Sequence, residues 1–238
     1  MAVEPSPPTV APVARKVALV AGGSGLVGSS LLDALIASPE YSRVFALSRR
    51  PLPLDNARLA NRIVNFERLD TELKGFVCQD AFCCLGTTIR TAGSEAAFRR
   101  VDFDTVLAFA RAARTAQAQR LVVVSSVGAD PDSANFYLRV KGETERALEA
   151  LGFASLDILQ PSLLLGMRGA ERPLEFAAKL LMPLANPLLR GTREVYRGIP
   201  ARTVAQAMIG ATRSGRRGVY RYTYAGLVTL AQKGAANR

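Results

Sequence analysis

Histidine is absent from all 238 residues of the chain. That absence excludes a Ser-His-Asp or Cys-His mechanism and any histidine-liganded metal, so catalysis must use Tyr, Lys, Ser or carboxylates. Cysteine is scarce: Cys78, Cys83 and Cys84 lie in one apolar segment without C-x-x-C spacing. They read as reduced, buried thiols, with a redox pair as the lesser alternative. Long apolar runs are also missing. The longest uncharged stretch, residues 17–32, is interrupted by four glycines and does not suit a bilayer span. No charged segment followed by an apolar core opens the chain, so no secretory signal is expected. Together these absences lead to the expectation of a cytoplasmic protein whose membrane contact is at most peripheral.

Acids are in deficit. Lys and Arg number 31 against 20 Asp and Glu, for a net charge of +11, which invites a nucleic-acid or anionic-membrane partner. Between residues 190 and 221 eight arginines face one acid, Glu194. No aromatic-rich recognition module, helix-turn-helix or zinc pattern accompanies them. The expectation is a solvated basic face, or one that attracts an anionic cofactor, and not a nucleic-acid surface.

What is present is ordered from residue 17 onward. The apolar residues 17–21 lead into Gly22-Gly23-Ser24-Gly25-Leu26-Val27-Gly28, and Leu31, Leu32, Leu35 and Ile36 follow at helical spacing. This is a strand, a tight turn and a helix. Glycines let the chain take positive φ, let a pyrophosphate approach the backbone and let helix pack on strand. The helix start offers unpaired N–H groups and a positive dipole end. Gly22, Ser24, Gly25, Leu26, Val27 and Gly28 are therefore candidate dinucleotide ligands. A second strand, residues 43–47, ends in Ser48-Arg49-Arg50. An NAD site usually carries Asp or Glu here for the ribose diol, whereas guanidinium groups suit a 2′-phosphate. Arg49 and Arg50 thus favour NADP(H) over NAD(H), the plain alternative being two solvated arginines.

The alternation continues with strands at 61–66 and 76–85, the latter ending in Cys84-Leu85-Gly86-Thr87-Thr88. In an open α/β sheet ligands sit at that carboxyl edge, which makes Leu85, Gly86 and Thr87 cofactor candidates. Residues 94–118 carry a helical apolar stripe. The continuous run 121–124 is a buried strand stopping at Ser125-Ser126. Residues 136–151 are helical, which puts Tyr137 and Lys141 on one face. A Lys ammonium nearby favours phenolate over phenol, and a serine hydroxyl can bind both the phenol and a substrate oxygen. Such a trio lets Tyr137 pass a proton to a carbonyl while a nicotinamide passes a hydride.

These motifs resemble the short-chain dehydrogenase/reductase superfamily. Phe82-Cys83-Cys84-Leu85-Gly86-Thr87-Thr88, Ser125-Ser126-x-Gly128-Ala129-Asp130 and Tyr137-Leu138-x-Val140-Lys141-Gly142-Glu143 are similar to the atypical members related to the Tat-interacting-protein oxidoreductase. The resemblance runs from about residue 17 to at least 176. It implies an NADP(H)-binding Rossmann fold, Tyr137 as proton donor or acceptor, and Lys141 holding the nicotinamide ribose and lowering the tyrosine pKa. It favours Ser126 as the catalytic serine. Ser125 stays an alternative, because Ser126 and Tyr137 are only eleven residues apart. Gln160-Pro161-Ser162-Leu163-Leu164 matches the place where backbone meets the nicotinamide carboxamide, which marks Pro161, Leu163 and Leu164. Relatives often carry Arg-Pro-Gly there, and Gln160 and Ser162 depart from it.

The expected architecture is a doubly wound parallel α/β sheet, Rossmann-like, with a small C-terminal substrate-covering region. Residues 1–14, with four prolines, are expected to be a tail; 15–230 one domain, in which 166–230 cover the substrate; and 231–238 a second tail. Within that region residues 171–176 are expected to open a helix, 180–189 to be an apolar stretch broken by Pro183 and Pro187, 199–211 to be a helix and 218–224 a strand; an ordinary core helix with a loop is the alternative to a lid. The expected function is NADP(H)-dependent hydride transfer on a small carbonyl or alcohol substrate. A non-catalytic NADP(H)-sensing regulator or scaffold is the alternative. The superfamily often pairs across a two-fold axis, so a homodimer is one expectation and a monomer the other.

Overall fold

The computed structural model describes residues 15–166 and 191–236. Seven parallel strands form the central sheet: β1 (Lys16–Ala21), β2 (Tyr41–Ser48), β3 (Leu59–Ile63), β4 (Asp80–Cys83), β5 (Arg120–Val124), β6 (Ser155–Leu159) and β9 (Gly218–Tyr222). Their spatial order is β3-β2-β1-β4-β5-β6-β9. The order reverses between β1 and β4, the switch point at whose carboxyl edge open α/β sheets take their ligands. Two further short strands, β7 (Leu164–Leu165) and β8 (Ile199–Pro200), pair with each other in a separate ladder.

Both faces of the sheet are covered, which is why its central strands read as unbroken apolar runs. On β1 the alternation divides the core. Ala18 and Val20 pack with α1 (Leu26–Ala37) and the C-terminal helices, while Leu19 and Ala21 pack on the opposite side with Phe109, Val123 and Leu148. The short helices α2 (Leu69–Glu72) and α3 (Ile89–Ala92) lie in the connections after β3 and β4.

The helix expected over 94–118 is present but not regular. Ser94 caps α4 (Glu95–Arg99) by accepting from the amide of Ala97. A π-helical segment, Arg100–Thr105, follows and leads into α5 (Val106–Thr115). Strand β4 is shorter than the 76–85 expected. Its approach is spent on a turn at Gly75 (φ +75°), and ladder pairing starts only at Asp80. Helix α6 (Phe136–Glu149) stands where the Tyr-Lys pattern put it.

The expected tail from residue 231 is a correction. Residues Tyr224–Ala235 form a helix that follows α7 (Ala201–Thr212) and becomes α8. Glycine permits the contact: a Cβ on Gly210 would stand 1.9 Å from the Leu230 carbonyl oxygen, and one on Gly234 would stand 2.0 Å from that of Gln206. The small residues of this segment are what bring the two backbones together. The expectations for 1–14, 171–176 and 180–189 lie outside the described residues.

Candidate functional site

The first side of the switch point is the glycine turn. Gly22 takes φ +84°, and a Cβ there would lie 2.5 Å from the Cys84 carbonyl, so the turn is pressed against the end of β4. A Cβ on Gly28 would stand 2.1 Å from the Gly22 carbonyl oxygen, which sets how closely α1 can approach β1. Gly25 is the N-cap of α1; no side chain caps it, and no acid lies in the first turn. Ser24 is exposed beside it. The turn leaves helix amides and a positive dipole end at the switch point, a donor set that fits a pyrophosphate.

The end of β2 closes toward this turn. Asn61 donates to the Ser48 hydroxyl at 2.7 Å and accepts from the Leu52 amide at 2.9 Å, while Ser48 donates to the Arg50 carbonyl at 2.7 Å. Leu52 thereby lies next to Gly23, where a Cβ would come within 3.3 Å of its Cδ1. Arg49 and Arg50 are exposed on this pinned loop.

The end of β4 meets α6. A Cβ on Gly86 would stand 3.5 Å from Asp102 Oδ1 and 3.8 Å from Lys141 Nζ. The Lys141 ammonium lies 2.7 Å from Asp102 Oδ1, and both side chains are buried. Asp102 Oδ2 accepts from the Thr87 amide at 2.9 Å, and the Asp102 carbonyl accepts from Thr144 at 3.0 Å. Burial pulls the Lys141 pKa down, but the charge of Asp102, followed by the Tyr137 phenol and the Asp102 hydrogen bond, lifts it above the ordinary lysine value. Lys141 therefore keeps its charge at neutral pH.

Tyr137 precedes Lys141 by one helical turn. Its ring packs on the buried Phe98 at 5.4 Å between centroids, and no hydrogen bond ties down its hydroxyl among the described residues. The loop after β5 is pinned above this helix by Gly142: a Cβ there would stand 2.2 Å from the Asp130 carbonyl carbon. The two serines that end β5 differ. Ser125 is buried, and its hydroxyl donates to Glu145 Oε1 at 2.5 Å. Ser126 is half-buried and turns to the Val127 carbonyl at 3.3 Å.

At the end of β6 the Pro161 carbonyl accepts from the Val127 amide at 3.0 Å, and the Leu163 carbonyl accepts from the Ile199 amide at 2.9 Å. Leu164 opens β7. Gly166 comes back over the start of α1, where a Cβ would approach Leu26 Cδ2 to 3.2 Å. The candidate residues of the glycine turn, β2, β4, β5, α6 and β6 thus come to one edge of the sheet.

Three partners were missed by sequence reasoning: Asp102, Glu145 and Arg221. Glu145 is buried and accepts from Ser125, from Gln160 Nε2 at 2.9 and 3.1 Å, and from Arg221 Nε at 2.9 Å. The expected solvated basic face is also changed in part. Arg213 pairs with Glu40 at 2.5 Å, Arg221 with Glu145 and Glu149, and Arg216 lies 4.3 Å from the Tyr220 ring centroid. The thiols are free, with Cys78 and Cys83 buried and Cys84 half-buried. Burial pushes Cys78 and Cys83 up to about 12. They are packing thiols, not nucleophiles. Among the described residues no His, Cys, Asp or Glu cluster suits a metal, and no helix is long and apolar enough to cross a membrane.

Residues 18–148 match the NAD dependent epimerase/dehydratase family. The chain is 36% identical over 200 residues to Protein HTATIP2 of Rattus norvegicus, covering 82% of this chain and 80% of that one. It is 35% identical over 202 residues to Protein fmp52-1, mitochondrial, of Aspergillus terreus, covering 82% and 86%. The solved structure of MoeE5 in complex with UDP-glucose and NAD has the same fold, with a TM-score of 0.63 at 20% identity, over 93% of this chain and 82% of that one. The expectation of a cytoplasmic location is overturned, because several relatives are named mitochondrial proteins. Reduced thiols separate only the oxidising secretory route from other compartments, so they could not make that distinction. The family match, the relatives and the seven-stranded parallel sheet agree: the chain belongs to the NAD dependent epimerase/dehydratase family, in the atypical short-chain dehydrogenase/reductase group related to the Tat-interacting-protein oxidoreductase.

Proposed function

We propose that the protein is an NADP(H)-dependent oxidoreductase acting on a carbonyl or alcohol, with Tyr137 as proton donor or acceptor. The observation that carries the reading is the buried Lys141 ammonium, held 2.7 Å from Asp102 beneath Gly86 and one helical turn from Tyr137. It puts a fixed positive charge next to a phenol at the edge where a dinucleotide of this family binds.

The dinucleotide, when bound, supplies or accepts the hydride. The chain does the rest. Gly22, Ser24, Gly25, Leu26, Val27 and Gly28 hold the pyrophosphate at the start of α1. Arg49 and Arg50 neutralise a 2′-phosphate, the step that selects NADP(H) over NAD(H). Leu85, Gly86 and Thr87, with Pro161, Leu163 and Leu164, line the nicotinamide half, and Lys141 holds its ribose. Ser126 binds the substrate oxygen, because the Ser125 hydroxyl is already committed to Glu145. In reduction, the carbonyl carbon gains hydride while its oxygen takes the Tyr137 proton. Lys141 stabilises the phenolate left behind until solvent reprotonates it.

Calorimetry with NADPH and NADH tests the cofactor, and tighter binding of NADPH is expected. NADPH oxidation across a panel of carbonyls and nucleotide sugars tests the reaction. Tyr137→Phe is expected to cut the rate by about 10²–10⁴-fold. Tight NADPH binding without turnover on any substrate would leave the sensing regulator as the better reading.

A further inference from the structure

We propose that Glu145 is a positioning residue that clamps the ends of β5 and β6 beneath the nicotinamide half of the site, with Arg221 of β9 as its counter-charge. The proposal rests on the NADP(H) reading above and names which residues hold that half in place.

Glu145 follows Lys141 by four residues and Tyr137 by eight, so the three share a face of α6. Glu145 is 3% exposed, yet its carboxylate receives three side chains, two from just past the ends of β5 and β6 and one from β9. Ser125 Oγ comes from the end of β5 at 2.5 Å, and Gln160 Nε2 from just beyond β6 at 2.9 Å. Arg221 Nε comes from β9 at 2.9 Å, and its guanidinium reaches on to Glu149 in the last turn of α6. Ser125 is the neighbour of Ser126, and Gln160 the neighbour of Pro161. One carboxylate therefore ties α6 to both strand ends that carry candidate site residues.

Burying such a charge is a poor way to gain stability, since apolar side chains of the same volume serve as well or better. What the carboxylate supplies is direction: four lone-pair sites that hold neighbours at set angles. Its effect falls on one half of the site only. The glycine turn and the Arg49-Arg50 loop make no contact with Glu145 among the hydrogen bonds and ion pairs of the described residues, and their geometry comes from Gly22, Gly28 and Asn61.

The test compares two ligands on Glu145→Gln and on the exchanged pair Glu145→Gln with Gln160→Glu, by calorimetry. NADPH reaches both halves of the site, and adenosine 2′,5′-bisphosphate reaches only the adenine half. Glu145→Gln is expected to weaken NADPH by about tenfold and the bisphosphate by less than about twofold. The exchanged pair keeps one carboxylate and one amide in the same cluster beside Arg221, and is expected to recover most of the NADPH affinity. Equal losses for both ligands, no loss for either, or no recovery in the exchanged pair would overturn the proposal. A wild-type chain that binds neither ligand would instead refute the NADP(H) reading, and the clamp would fall with it.

Discussion

Lys141 and Asp102 form a buried ion pair, 2.7 Å between Nζ and Oδ1, at the point where the π-helical segment Arg100–Thr105 crosses α6. Asp102 also accepts the Thr87 amide, so one carboxylate orients both the ammonium and the loop that ends β4.

Removing the carboxylate leaves a buried ammonium without its partner. Asp102→Ala is expected to lower stability by about 3–5 kcal/mol in urea denaturation, while Lys141→Met with Asp102→Leu should lose much less. The pKa of Lys141 is raised on folding, so the pair's contribution is complete below the ordinary lysine value. It is lost as pH climbs through the folded value, at the alkaline end of the range. In Asp102→Asn burial is left as the dominant influence on Lys141, so that alkaline loss should vanish or reverse.

Glycine substitutions should separate site from scaffold. A Cβ on Gly28 would meet the Gly22 carbonyl oxygen at 2.1 Å, and one on Gly210 the Leu230 carbonyl oxygen at 1.9 Å. Each alanine variant is expected to cost about 1–3 kcal/mol or more by overpacking. Only Gly28→Ala should also weaken NADPH binding, measured at a temperature where both variants remain folded.

Cofactor choice should reside in the β2 loop. Arg49→Glu is expected to weaken NADPH by about tenfold or more while leaving NADH within about threefold, and to flatten the salt dependence of NADPH affinity. Equal losses for the two nucleotides would mean that Arg49 does not read the 2′-phosphate.

In the middle of β6, Asp157 gives a pH signature unrelated to the site. It accepts from Ser155 at 2.8 Å and from Tyr222 at 2.9 Å, but burial dominates and raises its pKa above the usual 3.8. The proton is held more tightly in the folded chain, so this stabilising term is present below about pH 3.8 and is lost as pH rises through the folded value. Relative to Asp157→Asn, the wild type should therefore gain stability on going from pH 7 to pH 4, as read from urea midpoints.

Much of the scaffold was legible because parallel strands covered on both faces must be continuously apolar. The run at 121–124 announced β5, and residues 17–21 announced β1. The turn 22–28 and the Tyr137-Lys141 spacing were legible because glycine geometry and helical period are local properties. Asp102 was not legible. Nothing in residues 94–118 signals a π segment, and a regular helix gives no reason to single out its inward-facing acid. Glu145 and Arg221 are 76 residues apart, and their meeting depends on β9 lying parallel beside β6, which no local pattern encodes. The two-residue strands β7 and β8 are too short to show any period at all.

In that small ladder Leu164 pairs with Ile199 and Leu165 with Pro200, and Ser162 donates to the Arg197 carbonyl just before the return. The end of β7 and the start of β8 therefore lie side by side, near the first turn of α1. Loop-closure entropy grows only slowly with length, so a change in the number of residues between 165 and 199 should cost this ladder little.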